Sequence, residues 1–172
     1  MQDDIKLTFI KTDAKELIQC RLESCRLPSF PTETCLIASF GGSVEETVSK
    51  SEKLQSAGSN KSNLPIGGYG YMHAMIGDGF AACNPATLIL DLHDLKYESG
   101  EQMNRIIDQR IITKVVASEL NRNGLARIYS SILFLSPEAE MFRSVESALN
   151  ACDSSYRQFL RDGRKKIIAA DF

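Results

Sequence analysis

The stretch from Thr87 to Arg110 reads TLILDLHDLKYESGEQMNRIIDQR, and its two halves carry two different periods. Residues 88–92 are apolar apart from Asp91, the pattern of a central strand covered on both faces. A polar turn follows, Tyr97-Glu98-Ser99-Gly100. Beyond it Met103, Ile106, Ile107 and Arg110 share one stripe of a helix predicted over residues 101–112. Strand, turn and helix in this order form the repeating unit of an α/β sheet. The turn puts the Ser99 hydroxyl at the head of the helix, where free backbone N–H groups and the positive end of the dipole favour an anion or a phosphoryl group.

Upstream, residues 5–10 and 16–22 read as two strands around a tight turn at Thr12-Asp13-Ala14-Lys15. Residues 24–34 hold two prolines and read as a connection, and Cys35 to Phe40 as a short third strand closed by Gly41-Gly42. Ser43-Val44-Glu45-Glu46 is a capping-box pattern that predicts a helix over residues 44–54. Residues 56–70, with four glycines, three serines and a proline, read as a surface loop. From Tyr71 the positions Met72, Met75, Ile76, Phe80 and Cys83 recur at helical spacing, and Asn84-Pro85 stops the helix. Gly77 and Gly79 within it weaken it or allow close packing.

Downstream, residues 113–117 form a β-branched strand and residues 121–129 a helix facing inward through Leu125, Ile128 and Tyr129. Residues 132–135 read as a strand or a loop, and residues 140–142 as an edge strand. A last helix starts near Ser144 and turns Val145, Ala148, Leu149, Cys152, Tyr156 and Phe159 inward. Strands alternating with helices of about ten residues predict a mixed sheet with parallel, right-handed crossovers.

The chain has 172 residues, 43% hydrophobic and 24% charged, which suits one globular domain. A net charge of −2 supplies no general attraction to nucleic acid or anionic lipid. The basic group Arg161, Arg164, Lys165 and Lys166 is accounted for as a solvated helix end. Five cysteines, Cys20, Cys25, Cys35, Cys83 and Cys152, show neither a CxxC pair nor metal-ligand spacing, and four of them lie among apolar or small neighbours and read as reduced core residues of a cytoplasmic protein. The start MQDDIKLTF lacks a secretory pattern, and no apolar run approaches the roughly 20 residues of a membrane span.

Residues 88–107, the order of elements and the closing Met141-Phe142-Arg143-Ser144-Val145-Glu146-Ser147-Ala148-Leu149 resemble STAS domains, the anti-sigma factor antagonists. In that family an ILDL-type strand leads to a D-S-x-G loop whose serine is phosphorylated by a partner kinase. Ser99 and Gly100 match it best here, with Glu98 in place of the aspartate and no residue between serine and glycine. The resemblance implies one sheet with helices on one side and a phosphate-switched protein contact. Residues 88–103 also resemble the strand, loop and helix of crotonase-like enzymes, which implies stacked perpendicular ββα turns and an acyl-CoA thioester held by the Gly100 N–H as an oxyanion donor. The second glycine-rich turn of those enzymes is replaced here by Ser118-Glu119-Leu120-Asn121.

Other features have structural explanations. Ser99-Gly100-Glu101-Gln102 fits a capping box and needs no further role. Gly41-Gly42-Ser43 and the run Gly67-Gly68-Tyr69-Gly70 lack the lysine of a phosphate-binding loop. His73 and His93 have no nucleophile motif to serve, and Asp91, Asp94, Glu98 and Glu101 read as a solvated acidic loop before they read as a cation site.

The sequence therefore predicts a single α/β domain over residues 1–160, STAS-like in its second half, with an inserted segment at about 35–70 and a basic tail at 161–172. The sheet is expected to have four to six strands. The expected function is a non-catalytic regulatory module of bacterial signalling type, contacting a protein partner through Tyr97, Glu98, Ser99, Gly100 and Glu101. No cofactor, metal, nucleic acid or membrane is expected, and a homodimer is left open. The alternative is an acyl-CoA-binding enzyme with its oxyanion hole near Gly100.

Overall fold

The computed structural model describes residues 18–44, 68–98, 102–107, 111–133 and 135–170. The expected strand at 5–10 and nearly all of the expected helix at 44–54 lie outside these residues, as do Ser99, Gly100, Glu101 and Arg110.

Six strands form one mixed sheet in the order β1-β2-β3-β5-β6, with β4 paired to β2. Strands β1 (Ile18–Leu27) and β2 (Phe30–Ser43) are an antiparallel hairpin. They are longer than the sequence predicts. The two prolines do not break them, because Pro28 sits in the two-residue turn and Pro31 lies just inside β2, and β2 runs on through Gly41 and Gly42. Gly42 takes a φ of 102, which a side chain would strain. Beyond β2 the sheet is parallel: β3 (Thr87–Asp91) pairs with β2, β5 (Ile112–Val116) with β3, and β6 (Met141–Phe142) with β5.

The period of two sorts the strand residues onto two faces. Leu36, Ala38, Phe40, Leu88, Leu90 and Val115 share one apolar cluster with helices α1 (Gly68–Cys83), α2 (Met103–Ile107) and α3 (Arg122–Ile128). Cys35, Ile37, Ile89 and Val116 face the opposite way, onto the long helix α5 (Val145–Ala170). The helices within the crossovers thus pack on one face and the last helix on the other, so helices cover both sides of the sheet and not the one side that the STAS resemblance implies. The sheet is single, and stacked ββα turns are absent among the described residues.

Helix α1 begins at Gly68, so the last three residues of the expected loop are helical. It lies close on β2 because Gly79 has no side chain: a Cβ there would stand 2.7 Å from Leu36 Cδ2. Asn84, with a φ of 42, ends it. Helix α2 is shorter than predicted, and Ile112 opens β5 instead of closing the helix. Its apolar stripe is as expected, with Met103, Ile106 and Ile107 buried.

After α3 the chain widens into a π-helical turn, Tyr129–Leu133, where a strand or loop was expected. A four-residue helix α4 (Pro137–Glu140) then leads into β6. In α5 the residues Val145, Ala148, Leu149, Cys152 and Tyr156 pack on the sheet as predicted, whereas Phe159 is 63% exposed. Tyr156 stacks edge-on against Phe30 at the start of β2, with ring centroids 5.1 Å apart. The helix continues past that last strand to Ala170, so Phe159 has no sheet beneath it and the basic segment from Arg161 continues the helix. Asp153, only 6% exposed, ties α5 to the hairpin by accepting from the Ser29 N–H at 2.7 Å and from Arg157 at 3.0 Å.

Gly77 differs from Gly79 in having open space around its missing Cβ, in the interior of α1. Gly77→Ala is expected to raise stability by about 0.5–1 kcal/mol in urea unfolding, since alanine loses less backbone entropy in a helix.

Candidate functional site

The parallel strands β2, β3 and β5 all point their carboxyl ends toward one edge, the side on which open α/β sheets hold ligands. Two connections meet there, residues 92–98 after β3 and residues 117–121 after β5. The first begins as an extension of the ladder, with Leu92 N–H donating to Val116 O at 3.0 Å. It turns at His93 and Asp94 and then forms β4 (Leu95–Lys96) beside Gly42 and Ser43. Leu92, Leu95 and Tyr97 are buried, and His93, Asp94, Lys96 and Glu98 are exposed.

A buried asparagine holds this connection in place. Asn121, 1% exposed, donates through Nδ2 to Leu92 O and, at 2.8 Å, to Leu95 O. Its Oδ1 accepts from the Ser118 N–H at 3.1 Å. Both amide donors and the amide acceptor are therefore used, which keeps a buried polar side chain from costing stability. Ser118 adds a second tie, its Oγ donating to His93 O at 2.6 Å. Asn121 precedes α3 but makes no side-chain cap to it, because its amide is committed to the neighbouring connection.

Helix α3 closes on the same segment from the other side. A Cβ on Gly124 would lie 2.6 Å from Glu98 O and 3.0 Å from Tyr97 Cδ1, so only glycine lets the helix and this backbone touch. The Tyr97 ring is 1% exposed, part of the main apolar cluster. Of the five residues predicted to form the contact surface, Tyr97 is thus an anchor beneath the surface, Glu98 is exposed, and Ser99, Gly100 and Glu101 lie outside the described residues. Asn121 and Gly124 are not among the residues that sequence motifs single out; the trace they leave in the sequence is the Ser118-Glu119-Leu120-Asn121 turn ahead of the helix.

Asp91 is committed to local bonds: it accepts from the Ser39 hydroxyl at 3.3 Å and from the His93 N–H at 3.2 Å. No group of three His, Cys, Asp or Glu able to hold a metal ion occurs among the described residues. His73 is exposed on α1.

A second feature lies along β5. Strand β6 pairs with Val115 and Val116, and residues 112–114 have no ladder partner on that side among the described residues. An open cleft of about 520 Å³ runs there, walled by Ile107, Ile112, Leu133, Tyr129 and the Lys114–Glu140 ion pair at 2.8 Å. Tyr129 is 1% exposed and its hydroxyl meets no hydrogen-bonding group among the described residues. Burial, reinforced by the nearby Glu140 carboxylate, pushes its phenol well above the usual tyrosine range and keeps it neutral.

No helix among the described residues is long and apolar enough to cross a membrane. No family model, no curated protein and no solved structure matches the chain.

Two outcomes are expected from substitution. Asn121→Ala takes their side-chain partner from the Leu95 carbonyl and the Ser118 N–H and leaves Leu92 O only the Leu95 N–H, and Gly124→Ala forces a side chain against Glu98 O; each lowers unfolding free energy by about 2–3 kcal/mol in urea titration. Tyr129→Phe removes an unpartnered buried hydroxyl and is expected to leave stability unchanged or raise it by about 1 kcal/mol in the same titration, the opposite sign from most buried tyrosines.

Proposed function

We propose that the protein is a non-catalytic interaction module that engages a protein partner through the turn beginning at Glu98, with Ser99 as its phosphate-accepting centre. The observation that supports this reading most is the way the approach to the turn is built. Its backbone is fastened by Asn121, Ser118 and the close contact at Gly124, while His93, Asp94, Lys96 and Glu98 stand exposed. A segment held in one conformation before binding loses little freedom on docking, which raises affinity without added contacts. It also lies at the carboxyl edge of the parallel strands, the customary binding edge of α/β sheets.

A phosphate on Ser99 would add about −1.5 to −2 charges next to Glu98, which makes an exposed ion pair with Lys96 at 3.9 Å. Such an exposed pair offsets little of the added charge. Phosphorylation would therefore turn the turn strongly anionic and weaken docking to an acidic or apolar partner surface. The resemblance of residues 88–107 and 141–149 to STAS domains points to the same kind of switch.

The test starts with partners retained from cell extract by the immobilised full chain and proceeds to a measured affinity for the purified partner. Ser99→Glu should weaken that affinity at least tenfold, about 1.4 kcal/mol, with melting temperature nearly unchanged, and Arg161→Ala on α5, the helix that covers the opposite face of the sheet, should bind like wild type. Equal affinity of Ser99→Glu and wild type would sink the proposal. A thermal shift with a millimolar CoA thioester would instead favour the acyl-CoA reading.

A further inference from the structure

Three thiols converge beneath α5. Cys25 and Cys35 are directly opposite each other in the antiparallel β1–β2 register, and both belong to the apolar cluster on the α5 face. Cys152 projects from α5 into the same cluster, its Sγ 3.9 Å from Leu88 O. Cys35 lies among them, with Cys152, Cys25 and Thr87 as its side-chain neighbours. All five cysteines of the chain are reduced thiols in this structure.

Geometry singles out one pair. Residues facing each other across an antiparallel ladder have Cα atoms about 4.5–5.5 Å apart, inside the roughly 4.4–6.8 Å that a disulfide spans. Both side chains leave the same face of the sheet, so closing the bond requires side-chain rotation and no movement of strands. Access differs sharply between the three. Cys35 and Cys152 are fully buried, and Cys25 is half-buried near the hairpin end, within reach of a small solute.

We propose that Cys25 and Cys35 form a reversible redox couple, in which a hydroperoxide oxidises Cys25 and Cys35 resolves it into a cross-strand disulfide. In the first step the Cys25 thiolate attacks the peroxide, the O–O bond breaks, and Cys25 becomes a sulfenic acid while the peroxide leaves as alkoxide or hydroxide and takes up a proton. In the second, the Cys35 sulfur attacks the Cys25 sulfur, the S–O bond breaks, and the hydroxyl departs with the Cys35 proton as water. Two electrons pass from the two thiols to one peroxide. A dithiol reductant reverses the change by exchange, leaving as its own disulfide.

The surroundings suit this division of labour. The hydrogen bond with Cys152, with burial adding to it, pushes the Cys35 thiol up to about 12, so it stays protonated and unreactive until its partner is activated. The same contact lowers Cys152. Closing the bond would staple β1 to β2 next to their Pro28-Ser29 turn, the turn that Asp153 of α5 holds through the Ser29 N–H. Oxidation would therefore stiffen the hairpin and its junction with α5.

The experiment treats the folded full chain with hydrogen peroxide, alkylates remaining thiols after unfolding, and reads intact mass and peptide linkage without reductant. The expected product is lighter by two hydrogen atoms before alkylation, links Cys25 to Cys35, and leaves Cys20, Cys83 and Cys152 alkylated. Its melting temperature should rise by roughly 5 °C and return on treatment with dithiothreitol. Cys25→Ser, at a half-buried position the fold tolerates, should abolish the link, and Cys152→Ala should retain it. A link from Cys35 to Cys152, a link formed only in denaturant, or Cys25 advancing to sulfinic acid with Cys35 still a thiol would overturn the proposal.

Discussion

The carboxamide of Asn121 is the contact on which the functional edge depends. Parallel strands that end side by side leave their departing chains with backbone groups that no further ladder can satisfy, and burying such groups unpaired is costly. Here β3 and β5 end together, and residues 92 and 95 turn their carbonyls inward beneath the edge. One side chain answers both and also holds the Ser118 N–H. Because it joins the connection after β3 to the connection after β5, neither can move without the other. The burial of Leu92, Leu95 and Tyr97, and the contact of Gly124 with Glu98, all presuppose that fastening.

The rest of the architecture distributes burial between two faces. Helices α1, α2 and α3 cover one and α5 covers the other, so the central strand β3 is buried from Thr87 through Leu90. The face under α5 holds the buried Cys35 and Cys152, whereas the other is buried mainly through leucine, isoleucine and methionine. Cysteine suits that place because it is small and apolar enough to sit between sheet and helix. The packing that selects it also sets thiols on three elements next to one another.

Much of the fold could be read along the chain. The apolar run at 88–90 with the partly covered Asp91, the helical spacing of Met72, Met75 and Ile76, and the stripe from Val145 to Tyr156 each reflect burial that a strand or helix imposes at its own period. Boundaries were less legible. Proline at 28 and 31 signalled a break, yet the turn takes only Pro28 and Ser29, and β2 has resumed by Pro31. The stripe continued to Phe159, but periodicity carries no information about where the sheet beneath ends. The π-helical turn at Tyr129–Leu133 follows from how the chain wraps the open side of β5, which no local pattern encodes.

The candidate site divides in the same way. By itself the sequence determined that a strand, a polar turn and a helix succeed one another over 87–107, because hydrophobic period and turn chemistry are local properties. Only the tertiary structure decided that Tyr97 points into the core while Glu98 faces out, that Asn121 and Gly124 fasten the approach from 26 residues farther along, and that Cys25 meets Cys35. These are pairings between distant segments, set by the register of the sheet and by which helix covers which face. Their energy comes from excluding water and from satisfying buried polar groups across the fold, and neither quantity exists until the elements have packed.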